Sequence, residues 1–152
     1  MRIRQELLQL YSELCQLLDI HELEYNEGLY IAVKEILEKF TSACSNPAIW
    51  CFGEHTHMLM TDFVYELKKV HYIIDDSVEF INEEGYVLIS SDVIPNKEID
   101  GIIVSSYKYS EEITNKISTE YPHIKCLNIY KELAQYGIHC TSEYYLYNHP
   151  YS

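Results

Sequence analysis

The sequence predicts an α/β fold: a mainly parallel sheet of about five strands, covered by helices on both faces, with a helical hairpin added at the N-terminus. Three observations predict it. Short apolar runs alternate with helical stripes from Pro47 onward, as they do where crossover helices join parallel strands. Apolar residues make up 47% of the chain, enough to cover a sheet on both faces. The 152 residues suit a single domain of ordinary size.

The elements follow in order. Ile3, Leu7, Leu10, Leu14 and Leu17 recur at helical spacing and predict an amphipathic helix over Arg2–Asp19. Leu29, Val33, Ile36, Leu37 and Phe40 form a second stripe, with Asn26 as its N-cap, and Asn46-Pro47 ends it. Residues 1–45 thus read as a hairpin appended to the sheet, because two helices alone bury too little surface to stand by themselves. Ala48–Phe52 is the first strand candidate, stopped at Gly53, and Met58, Leu59, Phe63, Val64 and Leu67 predict the helix after it. Val70–Ile74 is the second strand candidate, halted by Asp75-Asp76. Tyr86–Ile89 follows the Glu84-Gly85 turn as the third, and Ile102–Val104 before Ser105-Ser106 is the fourth. Ser110–Thr119 suits a helix with Ser110 as cap and Glu111-Glu112 in its first turn. Ile124–Ile129 is the fifth strand candidate, with a short helix from about Tyr130. The core spans 48–133. The remainder, 134–152, holds Tyr144, Tyr145, Tyr147 and Tyr151. It reads either as a tail over an apolar edge or as a dimer or partner surface, where tyrosine is enriched.

Charge narrows the function. With 24 acidic against 11 basic residues the net charge is −13. That field repels phosphate backbones and anionic lipid, so nucleic acid and membranes are not expected partners. An anionic small molecule would have to be met by local donors such as backbone N–H groups. Met1-Arg2-Ile3-Arg4 leads straight into the amphipathic pattern, and no apolar run reaches the roughly 18–20 residues of a membrane span. The five cysteines, Cys15, Cys44, Cys51, Cys126 and Cys140, are odd in number and form no CxxC pair. Reduced thiols and a cytoplasmic location are expected.

One stretch carries a functional pattern. Ile49-Trp50-Cys51-Phe52-Gly53-Glu54-His55-Thr56 lies where the first strand turns into a helix. The dinucleotide fingerprint places G-x-G-x-x-G/A at such a turn. Here the three positions are Cys51, Gly53 and Thr56, so only the glycine that lets backbone approach a phosphate is kept. The acid expected about 20 residues later is present as Asp75, with Asp76 beside it.

The stretch Ala48–Thr56 resembles the "G-A-G-E-H-T" turn of a Rossmann-like nucleotide-sugar-binding family. That family includes the N-terminal domain of sugar acetyltransferases and the C-terminal domain of sugar C-methyltransferases. Ile73-Ile74-Asp75-Asp76 resembles the end of its second strand, and Asp100–Ser106 followed by Glu111-Glu112-Ile113 resembles its fourth strand and helix. Cys51 and Phe52 depart from the glycine pattern. The resemblance implies a Rossmann-like three-layer domain that binds a nucleotide or nucleotide-sugar; the alternation after Pro47 and the position of Gly53 predict strand order 3-2-1-4-5, and no acid–base pair or metal cluster of specific spacing supports catalysis of its own. In such sheets the ligand lies beyond the carboxyl ends of the strands, where the order reverses.

The residues expected there are Cys51, Gly53, Glu54, His55 and Thr56 from the turn, then Asp75, Asp76, Ser105, Ser106 and Tyr107. Backbone N–H groups of Gly53–Thr56 suit an anion, Asp75 a ribose hydroxyl, and the serines a sugar or base. Each has a plainer role available. Gly53 also permits a tight turn, the acids also end a strand in solvent, the serines also cap, and Glu54 also answers the helix dipole. His55, His57 and Cys51 lack the further ligand that a zinc site needs, so no metal is expected. Neither is catalysis by Cys51, which would need a lowered pKa and an orienting partner. No cofactor is specified. The alternative to a binding module is a structural or protein-interaction domain whose Rossmann-like site has decayed. Homodimerisation or a protein partner is expected from the hairpin's apolar stripes.

Overall fold

The computed structural model describes residues 27–77, 82–83 and 85–138, together with positions 6 and 10. The first predicted helix, apart from those two helical positions, lies outside the described residues, as do Asn26, Cys15, Cys140 and the tyrosine-rich segment beyond 138. Residues 27–42 form helix α1. Then follow β1 (Pro47–Trp50), α2 (Glu54–Asp62), β2 (Tyr72–Ile74), β3 (Asn82–Glu83) and β4 (Tyr86–Ile89). A 3-10 turn (Ser91–Asn96), β5 (Gly101–Val104), α3 (Ser110–Glu120), β6 (Lys125–Asn128) and α4 (Ile129–Gln135) complete the order.

Five strands run parallel in the order β4-β2-β1-β5-β6, which is the predicted 3-2-1-4-5 arrangement of a Rossmann-like α/β sheet. The two-residue β3 adds an antiparallel edge on β4 that the sequence reading did not include. Gly85 carries that hairpin at φ +82°, a conformation glycine adopts without steric cost.

Alternation along the strands splits the core in two. Ile49, Ile73, Leu88, Ile103 and Leu127 face α1, α2 and α4, together with Leu37, Leu59 and Leu133. Ala48, Trp50, Ile74, Ile89, Ile102 and Val104 face the opposite side and meet Ile94, Ile113 and Ile117. Every described residue of β1 and β5 is buried, as strands covered on both faces must be.

Three boundaries differ from expectation. Helix α2 stops at Asp62, and Phe63–Lys69 continues as turns that still bury Phe63 and Leu67. The N-cap of α3 is Tyr109 rather than Ser110. Ser110 begins the helix, and its hydroxyl donates to the Tyr107 carbonyl at 3.1 Å. The 3-10 turn after β4 was not anticipated, because Pro95 and the flanking polar residues show no helical stripe.

Candidate functional site

Register brings the carboxyl ends of the strands level. Trp50 pairs with Ile74 on one side and Val104 on the other, and Ile74 pairs with Ile89. Beyond Trp50 the chain must leave a sheet whose neighbours continue on both sides, and it does so through Cys51 at φ +100°. This is the position of the missing first glycine. A side chain there costs of order 1–3 kcal/mol of backbone strain. Local bonds hold the turn: Cys51 N–H donates to the Ile74 carbonyl at 2.7 Å, and the Cys51 carbonyl accepts from Thr56 Oγ1 at 2.5 Å. Thr56 Oγ1 also lies 3.0 Å from Ser105 Oγ. Thr56, at the third fingerprint position, is therefore a buried tie between the turn, helix α2 and the end of β5.

The turn opens into a cleft of about 610 Å³ at the point where the strand order reverses. Of the residues predicted from sequence, Cys51, Gly53, Glu54 and His55 line its α2 side. Asp75 and Asp76 line the β2 side, and Ser105 and Ser106 the β5 side. Thr56 lies beneath the cleft, with 1% of its surface exposed. Tyr107 was expected in the cleft, but it turns away to pack edge-on against Tyr130.

Gly53 is the N-cap of α2 with φ −137°, an extended conformation open to any residue. A Cβ built there would meet nothing within 4 Å. Neither turn geometry nor packing requires glycine at this position. Phe52 also lines the cleft, and its ring packs on His57 and Tyr86, 4.7 and 6.2 Å away between centroids.

The acids are braces as well as lining. Asp75 Oδ2 accepts from Phe52 N–H at 2.8 Å, and its Oδ1 accepts from the Ser77 N–H and hydroxyl at 2.9 and 2.6 Å. Asp76 accepts from the Ser91 N–H and hydroxyl at 2.7 and 2.8 Å. Together they fix the loops after β1, β2 and β4.

Burial sets the protonation of two other groups. It pushes the Cys51 thiol up to about 11, and the Asp75 carboxylate adds to the effect while a Ser106 hydrogen bond opposes it. Burial pushes the His55 imidazole down to about 3, against the pull of the Ser105 backbone. His55 Nδ1 is hydrogen-bonded to the Tyr130 hydroxyl. Near neutral pH the pair is a thiol and a neutral imidazole, not an activated nucleophile and its base. His57, two residues on in the same turn, is exposed, and among the described residues no three metal-ligating side chains gather.

The sequence reading missed the α3 wall. Tyr109, Glu112, Ile113 and Lys116 line the cleft, and Lys116 Nζ stands 5.6 Å over the Trp50 ring. Their spacing of i, i+3, i+4 and i+7 is a visible helical stripe. Only the sheet topology shows that this stripe faces Gly53. The chain matches no protein-family model and no curated protein, so the family resemblance rests on its own residues.

Proposed function

We propose that this chain is a binding module for a nucleotide or nucleotide-sugar, seated over Gly53 and not catalytic by itself. One observation carries the reading: an open cleft at the switch point of a parallel sheet, centred on a glycine that neither backbone nor packing demands. The chemistry around it fits such a ligand. Asp75 and Asp76 offer acceptors for sugar hydroxyls, and the first turn of α2 begins at a residue with no side chain to cap it. The test is thermal unfolding against a panel of nucleotides and nucleotide-sugars. A ligand at about 100 times its Kd adds about 2.7 kcal/mol to native stability and raises Tm by several degrees. A flat Tm across the panel at millimolar concentration rejects the reading.

A second reading is an interaction domain with a vacated site. Val64 and Tyr65, 64% and 71% exposed beside Phe63, favour it, and a second copy of the chain is the occupant it implies. Light scattering decides it, since a clean monomer at high micromolar concentration removes the homodimer. Among the described residues no helix is long and apolar enough to cross a membrane.

A further inference from the structure

We infer that the cleft reads the ribose or sugar hydroxyls of its ligand and gains no affinity from phosphate charge, so that a nucleoside binds at least as tightly as its phosphorylated form. This rests on the proposed function and assigns the part of the ligand that is read. Among the described residues the cleft is lined by four carboxylates, Glu54, Asp75, Asp76 and Glu112, against one ammonium, Lys116, which gives those side chains a formal charge of −3. His55 is buried as a neutral imidazole and adds no positive charge.

The two features that would draw a phosphate are each partly offset. The Lys116 ammonium lies over the Trp50 ring face, where the ring quadrupole attracts it. The positive end of α2 has Glu54 in its own first turn. The carboxylates, by contrast, suit hydroxyls. A carboxylate oxygen has two lone pairs and only accepts. Each Asp76 oxygen takes one hydrogen bond from Ser91, and Asp75 Oδ2 takes one from Phe52, so these oxygens retain capacity toward the cleft. Their positions are set by those same bonds, which means a sugar meets acceptors already in place. Trp50 and Ile113, 5% and 8% exposed, form the apolar floor beneath these groups.

Calorimetric titration of the full chain with the four common nucleosides and their 5′-diphosphates tests this at two salt concentrations. The screening length is about 20 Å at about 20 mM salt and about 4 Å at about 500 mM. The expected result is a nucleoside that binds about threefold or more tightly than its diphosphate at low salt, with the gap closing at high salt. Glu112→Gln, which removes one rim charge, narrows the same ratio. A diphosphate that binds more tightly than its nucleoside at low salt, and weakens as salt rises, overturns the inference and leaves the proposed function standing. If a nucleotide-sugar raises Tm while no nucleoside binds, the inference alone falls; if nothing in either panel binds at millimolar concentration, the proposed function falls and this inference with it.

Discussion

The two ends of the parallel sheet use the same chemistry for opposite purposes. At the amino end Asp100 accepts from Ser45 and Asn46 N–H at 2.7 and 2.8 Å. At the carboxyl end Asp75 and Asp76 accept from Phe52 and Ser91 N–H in the same way. The amino end is then closed. Lys69 Nζ donates to the Thr41 and Cys44 carbonyls at 3.1 Å, capping the end of α1, and Lys125 Nζ donates to the Ala43 carbonyl at 2.5 Å. Gly101 is packed so tightly that a Cβ would stand 2.4 Å from Cys44 Sγ and 3.1 Å from Phe40 Cζ. The carboxyl end keeps a glycine with open space above it and a cysteine at a positive φ. One end is organised for packing, and the other accepts strain and leaves a cleft.

The largest effect that separates the ends is acid sensitivity. The His55 imidazole goes from 6.5 to about 3 on folding. Between those values the unfolded chain binds a proton that the native chain does not, so stability falls as pH drops through the window, by about 1.4 kcal/mol per unit. Chemical denaturation from pH 7 to 4 should show that slope in the wild type and a shallower one in His55→Gln. Equal slopes would mean that His55 is not buried as described. Asp100 at the other end behaves differently. Burial pushes its carboxyl up, but the Ser45 and Asn46 N–H groups hold it below its ordinary 3.8. Its contribution is present above 3.8 and is lost only as pH falls through its lower native value.

Next in size, Gly101→Ala should cost about 1–3 kcal/mol by overpacking, while Gly53→Ala should cost under about 1 kcal/mol, the change of an N-cap. Urea midpoints compare them directly, and similar losses at both glycines would erase the distinction between a packed end and an open one. Smaller still is the strain at Cys51. Cys51→Gly and Cys51→Ala both remove the thiol, so their difference isolates the backbone. Glycine should be the more stable by about 1 kcal/mol, the reverse of the ordinary order. Alanine proving the better residue would place Cys51 outside the left-handed region. Finally, the raised thiol predicts that Cys51 reacts slowly with iodoacetamide at pH 8 in the native protein, as mass spectrometry of the alkylated peptide would read.

The fold was legible because its signal is repeated. Ile49, Ile73, Leu88 and Ile103 each sit in a short apolar run followed by polar residues, and four such runs with helices between them leave few topologies. The α2 boundary was less legible because Phe63 and Leu67 are buried whether or not the chain remains helical. In the cleft, the turn residues and both acids were readable, since a strand end and a fingerprint position are local features. Thr56 and Tyr107 were misplaced because sequence gives the position of a residue but not the direction of its side chain. The α3 wall was invisible for the complementary reason: Lys116 lies 63 positions after Gly53 and meets the cleft only through the crossover.

The most direct measurement is calorimetric titration of wild type and Gly53→Val with whichever nucleoside, nucleotide or nucleotide-sugar shifts the wild-type Tm. Valine, which fits the extended backbone at Gly53 and projects into open space, should leave the fold within about 1 kcal/mol of wild type and abolish binding. A Gly53→Val protein that binds as wild type does would contradict it, because the ligand would then lie somewhere other than over Gly53.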